Sequence, residues 1–116
     1  MSEATSGSVN LKVLTEELLE KAAAAESGRA THVFRAVPGG SLSQVMLVLK
    51  DGKELSEHEN PGEALLHVLS GKVRLTAGED SLDLSADEHA VVPQQRHGLL
   101  ALEDSAVLLT VVRIRS

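Results

Sequence analysis

The chain has 116 residues, 42% hydrophobic and 24% charged, an ordinary globular balance that fits one domain and leaves little room for a second. Its 17 acidic against 11 basic side chains give a net charge of −6, which repels phosphate backbones and argues against a nucleic-acid partner. The absence of cysteine removes disulfides, thiolate catalysis and zinc–thiolate sites together. With no apolar run of about eighteen residues and no basic-then-apolar leader, neither a membrane partner nor export is expected, and the cytoplasm is the default location.

Residues 1–10 are small and polar and read as a flexible tail. Thr15 reads as a helix N-cap, followed by Glu16 and Glu17 at the positive end of the helix. Leu18, Leu19, Ala22 and Ala23 form an apolar stripe and Gly28 a stop, so one short helix is expected near 16–26.

From Ala30 the period changes to two. Lys72–Ala77 and Ser81–Ser85 alternate polar and apolar residues around the turn Ala77-Gly78-Glu79-Asp80, a hairpin pattern. Further strands are expected near 31–37, 42–50, 64–70, 89–93, 97–102 and 105–114, separated by Gly, Pro, Asn and Asp turns. Short strands so regularly spaced predict a closed or double-sheet all-β fold spanning residues 11–116. Its core must be aliphatic, because Phe34 is the only aromatic residue and there is no Trp or Tyr. The segments 64–70 and 105–112 are apolar on both faces. One face would line the barrel and the other would need the helix or a second subunit, hence an expected homodimer.

Two segments carry a family resemblance. Gly52 through His58, Asn60 and Gly71 follow a Gly, five residues, His-x-His, three residues, Glu, six residues, Gly pattern, with Asn60 at the second His and Ala64 at the Glu. Asp87 through Pro93 and His97 follow a second pattern, with Asp87 and Gln95 at its glycines and His97 one residue early. Together they resemble the two motifs of the cupin superfamily, small single-domain kind, over roughly residues 42–112. The resemblance implies a double-stranded β-helix, a jelly-roll barrel, with one short N-terminal helix. It also implies a divalent metal held inside by three His and one Glu, of which His58 and His97 are the two that match. Such donors suit iron, manganese, nickel or zinc.

Asn60 shares strand parity with His58 and is a further candidate for metal or ligand. Glu63, one residue from the carboxylate position, is a candidate metal ligand if the Pro61-Gly62 bend changes its facing. Arg96 is a candidate for a substrate anion at the barrel mouth. His32, His67 and His89 match no ligand position and read as strand-surface or packing residues. No serine-nucleophile, phosphate-loop or zinc-protease motif is present. Two functions stay open: a protein binding a small polar ligand with or without a divalent metal in its barrel, and a metal-free sensor, storage or interaction module.

Overall fold

A computed structural model describes residues 7–36, 39–58 and 62–113, with backbone alone at Arg35, Ala36, Glu57, His58 and Arg113. It opens on helix α1, Leu11–Ala24, which starts earlier than the expected 16–26 and ends earlier too. Asn10 is the N-cap, its side-chain oxygen accepting from the backbone N–H of Val13 at 3.0 Å. Thr15 is therefore inside the helix, and its hydroxyl donates back to the carbonyl of Leu11 at 2.8 Å. The earlier start has a packing cause: Leu11 and Leu14 extend the stripe of Leu18 and Ala22 by one turn. Residue 10, assigned to the tail from sequence, is thus part of the helix cap, while residues 1–6 lie outside the described residues.

Among the described residues nine strands follow: β1 Arg29–Ala36, β2 Leu42–Leu49, β3 Glu54–His58, β4 Gly62–Ser70, β5 Lys72–Ala77, β6 Asp80–Ser85, β7 His89–Val92, β8 His97–Ala101 and β9 Ser105–Arg113. They make a five-stranded sheet in the order β1-β2-β9-β4-β7 and a four-stranded sheet in the order β3-β8-β5-β6. The pairings are antiparallel, so this is the expected all-β jelly roll with one N-terminal helix. The β5–β6 hairpin pairs Ala77 with Asp80, where the alternation placed its turn. The short strand β3 had no counterpart among the expected elements.

Alternation sorts side chains into two aliphatic layers. Leu47, Leu49, Ala64, Leu66, Val68, Val92 and Val107 from one sheet meet Val73, Leu75, Leu84, Leu99 and Ala101 from the other. On the outside of the five-stranded sheet, Met46, Val48 and Ala106 pack under Leu18 and Ala22 of α1, with Phe34 and Leu69 at the margin. The helix lies over the β1–β2–β9 side and reaches β4 only at its end, at Leu69. Farther along the same outer face, Leu65 on β4 is 39% exposed and Val91 on β7 is 71% exposed.

Two of the left-handed backbone positions bear directly on the connections between strands. Gly71, at φ +85°, joins β4 to β5; a Cβ there would collide with the Asp104 carbonyl and the Ser105 side chain. Ser105, 1% exposed, accepts from the Lys72 N–H at 2.9 Å and donates to the Glu103 carbonyl at 2.7 Å. Asp87, at φ +71°, is the one non-glycine residue with positive φ among the described residues. It stands where the second motif has its first glycine, so the turn geometry persists although the residue has changed. Asp is among the few residues that tolerate this region.

Candidate functional site

Strand β8 begins at His97, after the bend through residues 94–96 that follows Pro93. From there His97, Leu99 and Ala101 alternate inward, and Leu99 and Ala101 belong to the barrel core. His97 is 7% exposed, and with Ser105 it makes up the buried polar residues among those described. Ser105 is accounted for by the hydrogen bonds that tie the β4–β5 and β8–β9 connections together. Among the described residues, His97 is therefore the buried titratable side chain, set beside an aliphatic core.

The ring of His97 has a defined orientation. Its Nδ1 lies 2.8 Å from the carbonyl oxygen of Gln95. A carbonyl only accepts, so Nδ1 is the donor in this contact. A backbone carbonyl bonded to one ring nitrogen is a common way of fixing the orientation of an imidazole.

The two neighbours of His97 in the sheet follow from register. On one side it stands opposite Ala77 of β5, a small residue 6% exposed. On the other it stands opposite His58 of β3. Leu55 pairs with Leu99, and unbroken alternation from there would bring Glu57 to His97; a register shift between Leu55 and His58 brings His58 instead. The backbone thus sets both expected histidine positions side by side, with the His58 side chain outside the described part of the structure.

The other candidates fall elsewhere. Ala64, at the carboxylate position of the first motif, is 6% exposed and faces the core. Glu63 is therefore on the opposite face: it is exposed, stands opposite Val112, and borders an outer groove with Leu65, Val91 and Thr110. Parity is already set at Glu63, because Gly62 pairs with Arg113 within the strand. Arg96 is exposed and borders a groove outside the four-stranded sheet with Glu54, Ser56, Thr76 and Leu100, so it does not share the His97 face. Asn60 lies outside the described residues.

No group of three or more His, Asp or Glu placed to hold a metal occurs among the described residues. With an inward alanine at the carboxylate position, those residues do not complete the set of three His and one Glu that the resemblance implied. Sequence reasoning passed over one juxtaposition: His67 on β4 and His89 on β7 stand opposite each other, with ring centroids 6.0 Å apart. Each was read singly, and only the strand register reveals the pair.

Comparison with known proteins agrees with this architecture. The cupin domain family matches residues 45–113, and the chain belongs to it. No curated protein matches the chain. Among solved structures, a conserved protein of unknown function from Streptococcus pyogenes is similar at 22% identity and TM-score 0.68, over 79% of this chain and 80% of that one. A cupin superfamily protein from Desulfitobacterium hafniense is similar at 18% identity and TM-score 0.68, over 74% and 78%. A transcriptional regulator of the HTH_3 family from Vibrio cholerae is similar at 21% identity and TM-score 0.67, over 86% of this chain and 60% of that one. At these identities the likeness concerns the fold. No helix among the described residues is long and apolar enough to cross a membrane.

Proposed function

We propose that this cupin binds a small polar ligand inside its barrel, anchored by His97 with His58 beside it. The observation that carries the reading is the buried His97 ring, held through Nδ1 by Gln95 in an aliphatic interior. A backbone hydrogen bond fixes the orientation of the ring, and an imidazole in an apolar interior is suited to hydrogen-bond a hydroxyl, carboxyl or amide. Without Trp or Tyr to stack on flat faces, recognition would rest on hydrogen bonds and on aliphatic fit. The reading does not require a metal, since the described donors stop short of the family's ligand set. A cytoplasmic setting fits the cysteine-free composition, and a homodimer fits the outer apolar residues that α1 leaves exposed.

A second reading, a ligand-sensing module, draws on the fold shared with the regulator from Vibrio cholerae. It uses the same barrel site and differs in what binding is for.

The test is a thermal-shift screen of small hydroxy acids, carboxylates, amides and polyols against tag-free protein, run beside His97→Leu. Compounds that stabilise the parent and leave His97→Leu unmoved are the expected result. Equal shifts in both proteins would remove His97 from the reading. Elemental analysis of the same preparations covers the remaining case. A first-row metal present in the parent and lost from His97→Leu would make the site metal-dependent.

A further inference from the structure

We infer that His67 and His89 form a second, exterior site for a divalent transition ion of the imidazole-preferring class, Cu²⁺, Ni²⁺ or Zn²⁺. The two residues are direct partners in the β4–β7 ladder. Their neighbours Leu66, Val68 and Ala90 face or pack on the barrel core, so alternation sets His67 and His89 on the outside of the sheet. The next ladder bond, from the N–H of Val68 to the carbonyl of Glu88 at 2.9 Å, makes the histidine pair the non-hydrogen-bonded kind. Opposed side chains approach each other more closely at such positions.

The ring geometry fits a shared ion. The centroids are 6.0 Å apart, with the planes at 83°. Two imidazoles bound to one ion at roughly 2.0–2.1 Å per nitrogen bring their centroids to about 5–6 Å, depending on the angle at the metal. The observed centroid separation is therefore at the upper end of the range that a shared ion requires. Strand β7 is at the edge of its sheet and His89 is exposed, which leaves room for water in the remaining coordination positions. Two imidazole nitrogens and no thiolate select against Mg²⁺ and Ca²⁺, which prefer oxygen, and rank copper above nickel and zinc. The site stands apart from the barrel interior, so it is independent of the reading given to His97.

The experiment is calorimetric titration of Zn²⁺ alone into tag-free, full-length protein, with Mg²⁺ as the comparison ion. The parent should take up one zinc. His67→Asn and His89→Asn should each weaken that binding by at least about tenfold, because one imidazole is left. A His58→Asn/His97→Asn double variant should bind as the parent does. As a readout in the parent alone, Ni²⁺ or Cu²⁺ should broaden the NMR signals of β4 and β7 before those of β8. Parent protein without zinc binding, an unchanged His89→Asn, equal uptake of Mg²⁺, or broadening that begins at β8 would each overturn the assignment.

Discussion

His58 stands opposite His97 in the β3–β8 ladder because the register slips by one residue after Leu55. An unbroken ladder would have set the acidic residue Glu57 against the buried imidazole. A bulge of this kind costs local pairing and is a recurrent way of redirecting a strand next to a site. Here its effect is to bring two residues with matching chemistry, rather than an acid and a base, to neighbouring positions on one sheet.

His97→Leu separates binding from folding. The substitution removes the hydrogen bond from Nδ1 to Gln95 and with it the cost of burying a polar ring. The two effects oppose each other, and each is on the order of 1 kcal/mol. Unfolding in urea should therefore shift by less than about 1.5 kcal/mol while ligand-induced stabilisation disappears. A collapse of the fold would mean that the ring is structural.

Asp87→Gly should stabilise the protein. Asp87 holds φ +71° and its N–H donates to the Val68 carbonyl at 2.7 Å, a bond that glycine keeps. Relief of the left-handed strain outweighs the extra freedom of glycine in the unfolded chain, for a gain of roughly 0.5–1 kcal/mol in chemical denaturation. A loss of stability would show that the Asp87 side chain makes a contribution of its own.

Asp104→Asn should weaken the fold near neutrality and become silent in acid. Lys50 donates to the Asp104 carboxylate at 2.7 Å and the Asp51 backbone N–H donates at 2.8 Å. The Lys50 hydrogen bond first, and the Asp51 N–H second, hold the carboxyl below its ordinary range. A depressed pKa contributes stability above the unfolded-state value near 4, and that contribution is lost as pH falls through the lower folded-state value. The pair is exposed, so the difference between parent and variant should be on the order of 0.2–1 kcal/mol at pH 7. Parallel stability curves for the two proteins down to about pH 2 would contradict this linkage.

Leu65→Asp and Val91→Asp test self-association. Light scattering of the parent at micromolar concentration should give about twice the 12.3 kDa chain mass. Each variant should shift toward the single-chain mass without a change in its circular dichroism, because neither residue supports the core. A parent that already scatters as one chain would remove the dimer.

What could be read in advance followed the strength of the local pattern. Lys72–Ala77 and Ser81–Ser85 alternate without a break around a Gly-containing turn, and the hairpin appears where they place it. Strand β3 was missed because Glu54-Leu55-Ser56-Glu57-His58 offers one apolar residue, too few to define a period. The helix start was displaced because Asn10 and Thr15 are both good caps, and tertiary packing of Leu11 and Leu14 chose between them. Among the candidate residues, motif spacing pointed to His58 and His97, which the β3–β8 register sets opposite each other, whereas facing was the harder question. Arg96 and Glu63 neighbour inward residues in sequence and so turn outward. The His67–His89 pair depends on which strands are adjacent, and no local window contains that information.

Strand β2 is walled in on both sides: Met46 and Val48 meet the helix, while Leu47 and Leu49 meet the barrel, and all four are at most 1% exposed. Its amides are also bracketed by β1 and β9. In a hydrogen-exchange experiment these four positions belong to the slowest class, opening only when the whole domain opens. The exposed ends of α1 and the edge strand β7 can exchange through local fraying. The slowest amides of β2 would then report global stability, and a ligand bound in the barrel would register there as added protection.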